Sequence, residues 1–140
     1  MPVRHANAVW NGDLRDGDGT MALGNGTFEG GYSFASRFES GDGTNPEELL
    51  GAAHAGCFSM ALANELAEAG YEPRSLDTDA AVTLEAETLS IGEIDLTLEA
   101  TVPGIDEETF LEFAEGAKAN CPVSKALAGV DITLETTLVE

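Results

Sequence analysis

Residues 44–70 read TNPEELLGAAHAGCFSMALANELAEAG, and the reading of this stretch decides the fold. Asn45 can cap a helix, Pro46 suits its first position, and Glu48 can complete a capping box. The spacing predicts a helix from Pro46 to about Ala69 that stops at Gly70. Its first half is apolar nearly all round, with small residues at Gly51, Ala52, Ala53, Ala55, Gly56 and Ala61. It is therefore expected to be a long buried central helix that other elements approach closely. Only Asn64, Glu65 and Glu68 return it to water. The apolar run from Leu49 to Ala63 is shorter than the ~20 residues needed to cross a bilayer, and it carries His54.

Outward from this helix, the period of the sequence changes. On its N-terminal side, the runs HANAVW, TMALG and GYSFAS lie between the turn signals NGD, DGDG and GNG, which predicts a meander of about three strands. On its C-terminal side, Leu76 to Glu87 and Glu93 to Val102 alternate as two half-buried strands. Asp106 then caps an amphipathic helix whose inner face carries Phe110, Phe113, Ala114 and Ala117. Asn120-Cys121-Pro122 breaks it and starts a short helix through about Ala128, and Val130 to Val139 closes the chain as a strand. This order predicts a single α+β domain over residues 1–140 with largely antiparallel sheets.

Composition narrows the function. A chain of 140 residues with 43% hydrophobic content can bury about two thirds of its unfolded surface. The N-terminus, MPVRHANAVWNGDL, has no charged segment followed by an apolar one, so the protein is expected to be cytoplasmic, with no membrane partner. Its 26 acidic residues against 6 Lys plus Arg give a net charge of -20, which repels phosphates and argues against a nucleic-acid partner. The acidic residues scatter along the chain, Asp77, Asp79, Glu85 and Glu87 alternating with apolar neighbours. They read as adaptation to a salty, halophilic cytosol rather than as a docking tail.

The chemistry rests on two cysteines, Cys57 within the long helix and Cys121 directly before Pro122. In a reducing compartment such thiols point to catalysis or redox sensing, with inert buried thiols as the plain alternative. Cys121 sits where a helix N-terminus favours an anion, so local electrostatics alone makes it the nucleophile. Cys57 lies about three turns into its helix among apolar residues that raise its pKa, and it needs a cation from elsewhere. Arg37, in the aromatic-flanked FASRFE at 34–39, is the best placed. Arg4, Arg15, Arg74, Lys118 and Lys125 look peripheral. A hydrolase pairing Cys57 with His54 is poorly supported, because residues three apart in one helix give the imidazole poor geometry and no third group orients it. His54 reads as a packing residue and His5 invites no role. No metal-ligand cluster or phosphate-cradling loop occurs, so neither metal nor cofactor is expected.

Taken in order, RFE at 37–39, GTNPEELLGAAHAGCFSMAL at 43–62, VPGIDEETF at 102–110 and NCPVSKAL at 120–127 closely resemble the OsmC/Ohr family of osmotically inducible and organic-hydroperoxide-resistance proteins. The HAGCFSMAL and CPVS forms look more like the OsmC branch. The resemblance implies an OsmC-like intertwined homodimer and a cofactor-free thiol peroxidase. By that analogy Cys57 attacks the peroxide, Cys121 resolves the sulfenic acid into a disulfide, Arg37 holds the thiolate and polarises the peroxide, and Glu47 orients Arg37. The local choice of nucleophile is thereby reversed. The expected substrates are organic hydroperoxides, with hydrogen peroxide reduced less well, and the expected reductant is a dithiol, lipoyl groups on proteins included. A non-catalytic, stress-related ligand-binding protein of the same fold is the alternative. Glu47 and Cys57 stand about 15 Å apart along one helix. Either the Arg37 side chain spans most of that gap, or a second copy of the helix, packed on Gly51, Ala52, Ala55 and Gly56, brings its own Glu47 beside Cys57.

Overall fold

The computed structural model describes residues 1–139, which form two compact units divided between Leu49 and Leu50. In the first unit β1 (Ala6–Asn11), β2 (Asp18–Leu23) and β3 (Phe28–Tyr32) make the expected antiparallel meander, in that order. The GYSFAS run is not all strand. Tyr32 ends β3 and Ser33 caps a short helix, α1 (Phe34–Phe38). Ser33 and Ser36 close a reciprocal box: the Ser36 N–H donates to Ser33 Oγ at 3.1 Å, and the Ser33 N–H to Ser36 Oγ at 2.8 Å. The Ser36 hydroxyl also donates to the Thr44 carbonyl at 2.7 Å, tying α1 to the approach of the long helix. Gly43 makes that approach possible. Its φ is +114°, and a Cβ there would lie 2.6 Å from the Gly31 carbonyl oxygen.

The long helix, α2 (Pro46–Glu68), matches its expected limits. Asn45 caps it, its Oδ1 accepting the Glu48 N–H at 2.8 Å while its Nδ2 donates to the Ser36 carbonyl at 3.0 Å. The capping box onto Asn45 does not close, because the Glu48 carboxylate accepts the Thr44 hydroxyl at 3.0 Å instead. At the far end Gly70 adopts φ +93°, the Tyr71 N–H reaches the Leu66 carbonyl at 2.9 Å and the Gly70 N–H the Ala67 carbonyl at 3.0 Å. This is a Schellman stop, and it needs the glycine.

The second unit holds a three-stranded sheet ordered β4 (Ser75–Glu85), β5 (Ser90–Thr101), β6 (Asp131–Leu138). β4 and β5 are antiparallel; β5 and β6 are parallel. Alternation locates a strand without giving its direction, and a parallel pair needs a crossover. Here that crossover is α3 (Glu107–Asn120) followed by α4 (Pro122–Ala126), the latter ending earlier than expected. The core joins Phe58, Leu62 and Leu66 of α2 to Ile94, Leu96, Leu98 and Ala100 of β5 and to Phe110, Ala114 and Ala117 of α3. Each large side chain so buried contributes about 1.5–3 kcal/mol. At Gly51 the helix runs close to β4, where a Cβ would meet the Ala80 carbonyl oxygen and Val82 Cγ2 at 3.3 Å.

Burial of α2 within its own chain is one-sided. His54, Phe58, Leu62 and Leu66 are fully enclosed, whereas Ala52, Ala53 and Gly56 are exposed and Met60 keeps 77% of its surface in solvent.

Candidate active site

Two constellations emerge, one in each unit. In the first, α1 sets Arg37 one residue before its end, and the first turn of α2 presents Glu47. Arg37 Nε donates to Glu47 Oε1 at 3.1 Å and Nη2 to Oε2 at 2.9 Å. This bidentate fork fixes the plane of the guanidinium and leaves Nη1 outside the pair. Glu47 is buried, and the Arg37 side chain retains 35% exposure. Arg37 thus meets Glu47 of its own chain, and no second copy is needed for that pairing. The guanidinium also lies 5.4 Å from the Phe38 ring centre. A cavity of about 230 Å³ is lined by Trp10, Tyr32, Phe34 and Phe38 together with Arg37. The aromatic flanks of Arg37 are visible in the sequence; the share of Trp10 and Tyr32 in the cavity is not, since they come from β1 and β3.

In the second unit Cys57 and Cys121 meet. Both are free thiols and they face each other within interaction range. Cys121 ends α3 by donating its N–H to the Ala117 carbonyl at 2.9 Å, and opens α4 by accepting the Lys125 N–H at 3.0 Å. Its thiol makes no cap bond of standard geometry. Burial pushes the Cys121 pKa up, but the Cys57 thiol, the Ser124 N–H and hydroxyl and the Val123 N–H outweigh it, and the net direction is down. For Cys57 burial and the neighbouring Cys121 push the pKa up, against a smaller lowering by the Val123 N–H. Access runs the other way: Cys57 is half-buried, whereas Cys121 is fully enclosed. Acidity and reach are therefore divided between the two sulfurs.

His54, one turn before Cys57 in α2, is fully buried, its Nε2 2.8 Å from Ser124 Oγ. Its partner is thus a hydroxyl on α4, which removes the geometric basis for a Cys57–His54 hydrolase. Burial lowers its pKa. Ser124 was given no role by sequence reasoning, and the only signal for it is its place one turn after Cys121. A wider cavity, about 510 Å³, lies elsewhere against Glu65, Glu68, Glu112 and Phe113. Among the described residues, no group of His, Cys, Asp or Glu is placed to hold a metal.

A redox-capable dithiol and a carboxylate-locked arginine occur along one chain, and comparison with known proteins decides what they belong to. The OsmC-like protein family model matches residues 39–135, a span that includes Glu47, Cys57 and Cys121. The chain belongs to the OsmC-like protein family. It is 47% identical over 138 residues to the peroxiredoxin OsmC of Escherichia coli K12, covering 96% of each chain. It is 36% identical over 99 residues to the organic hydroperoxide resistance protein OhrB of Bacillus subtilis, covering 69% of this chain and 72% of that one. The fold is similar to the crystal structure of an organic hydroperoxide resistance protein OsmC from Legionella pneumophila. The TM-score is 0.75 at 22% identity, over 98% of this chain and 99% of the other. The α+β architecture expected of an OsmC-like chain is therefore present, with β6 supplying the one parallel pairing.

Proposed function

We propose that this OsmC-like protein is a cysteine-based peroxidase that reduces organic hydroperoxides, and hydrogen peroxide less well. The observation that carries the reading is the facing pair of free thiols, Cys57 reachable and Cys121 enclosed, in a chain 47% identical to a peroxiredoxin. The Cys57 thiolate attacks the outer peroxide oxygen, the O–O bond breaks, and the alkoxide leaves and takes a proton. Cys57 is left as a sulfenic acid. Cys121 condenses with it to an intramolecular disulfide and water is released. A dithiol then reduces the disulfide, and a lipoyl group on a protein suits that chemistry.

Reach favours Cys57 as the peroxidatic residue, because a peroxide cannot approach a fully enclosed Cys121. Its raised pKa requires an opposing cation, the role assigned to Arg37, with Glu47 holding the guanidinium in a single plane. The likeness to an organic hydroperoxide resistance protein supports a preference for substrates with an apolar group. No cofactor takes part. The uncovered strip of Ala52, Ala53, Gly56 and Met60 is assigned to a second copy in a homodimer. No helix among the described residues is long and apolar enough to cross a membrane, and we assign the protein to the cytoplasm.

The test is a steady-state assay with cumene hydroperoxide, t-butyl hydroperoxide and hydrogen peroxide, each with dithiothreitol or dihydrolipoamide. Turnover is expected with all three and fastest with the organic substrates, and Arg37→Ala is expected to raise the Cys57 pKa by about a unit. A protein that loses no thiol on peroxide addition would instead be the non-catalytic ligand-binding member of the fold.

A further inference from the structure

His54 and Cys57 stand one turn apart on α2, and Cys121 and Ser124 stand one turn apart at the start of α4. The two pairs meet in reverse order. Cys57 faces Cys121, and His54 Nε2 lies 2.8 Å from Ser124 Oγ. His54 and Cys121 are fully buried, and Ser124 is 7% exposed. The peroxidase chemistry leaves His54 and Ser124 without a task, yet a buried imidazole with an unpaired nitrogen is costly to keep.

His54 Nδ1 is that nitrogen: among the described residues it has no hydrogen-bond partner. An orphaned buried N–H costs more than an orphaned lone pair, so Nδ1 is bare and Nε2 carries the proton. Nε2–H then donates to Ser124 Oγ, which leaves the serine hydroxyl proton free to turn to the Cys121 sulfur one turn earlier in the chain. The donors run one way and end on sulfur. Such a chain favours an anion at its end.

We propose that His54, acting through the Ser124 hydroxyl, is a positioning residue that holds Cys121 as a thiolate and so sets the rate at which the disulfide forms and reopens. In the forming step the Cys121 thiolate attacks the sulfur of the Cys57 sulfenic acid. The S–S bond forms, the S–O bond breaks, and the departing hydroxide takes a proton from solvent to become water. Cys121 is oxidised as the sulfenic sulfur is reduced. In the reopening step a reductant thiolate attacks Cys57, and Cys121 leaves as a thiolate stabilised by the same donors. The consequence for turnover rests on the peroxidase reading. Among the described residues, the titratable side chain facing Cys121 is Cys57, and burial alone displaces His54, so no carboxylate or cation enters the chain.

The experiment isolates Cys121 as the sole thiol with Cys57→Ser and follows thiolate ultraviolet absorbance against pH. Adding Ser124→Ala or His54→Phe is expected to move the Cys121 midpoint up by about one pH unit. Ser124→Thr and His54→Gln, which keep a donor, are expected to move it back. Ser124→Ala removes one oxygen and keeps the packing, so it reads the chain even where His54→Phe fails to fold. A Ser124→Ala midpoint equal to that of its parent would overturn the proposal. The titration needs no peroxide. A wild-type protein that consumed no hydroperoxide would sink the peroxidase reading while the titration still decided the donor chain.

Discussion

Burial favours the neutral form of His54, and that shapes its contribution to the response to acid. Its folded pKa lies below the ordinary 6.5, so the unfolded chain takes up a proton that the folded chain refuses. Stability from this residue is complete above 6.5 and is lost progressively as the pH falls from there through the lowered folded pKa. Urea denaturation between pH 7 and 5 is expected to show that slope in the wild type and to lose it in His54→Gln. An unchanged slope in the variant would assign the acid response to other groups. At this scale the candidates Cys57, Cys121, Arg37 and Glu47 come from sequence motifs, and the structure pairs Arg37 with Glu47 and sets Cys57 beside Cys121. Ser124 was not legible there, because its meaning is a contact with a residue seventy positions away, and one-dimensional spacing carries no trace of it. His54 was read as packing. Its burial bears that out, and its hydrogen bond adds to it.

Helix and strand limits depend on a few capping residues whose removal can be measured. Asp106 Oδ1 accepts the Thr109 N–H at 2.8 Å, and Asp106→Ala is expected to cost about 1 kcal/mol of unfolding free energy. Gly70→Ala, forcing a Cβ into φ +93°, is expected to cost about as much. A loss of less than a few tenths at either site would mean that the helix ends there for another reason. The same residues explain what the sequence disclosed: α2, α3, β4, β5 and β6 are long enough to express their period, and caps mark the starts of both helices. By contrast, α1 has five residues, too few for a period, and its serine box was masked by an alternation that resembles a strand. The direction of β6 was hidden as well, since alternation reads the same either way.

For the whole molecule, the proposed homodimer and the proposed chemistry are linked through α2, whose outer strip its own chain leaves bare. Inactive Cys57→Ser and Glu47→Ala chains, unfolded and refolded together, are expected to regain activity if an arginine–glutamate pair from one copy serves the cysteine of the other. Mixed dimers without activity would assign each site to a single chain. The apolar girth of α2 was plain in the sequence; which part of it one chain covers depends on packing against β5 and α3, which no local pattern encodes. The central claim is that Cys57 reacts with peroxide and Cys121 resolves it, and intact-mass measurement after one equivalent of cumene hydroperoxide tests it most directly. The wild type is predicted to lose two hydrogens as a disulfide, Cys121→Ser to gain one oxygen at Cys57, and Cys57→Ser to keep its mass. Oxygen gained by Cys57→Ser, with Cys121→Ser left unchanged, would contradict the account.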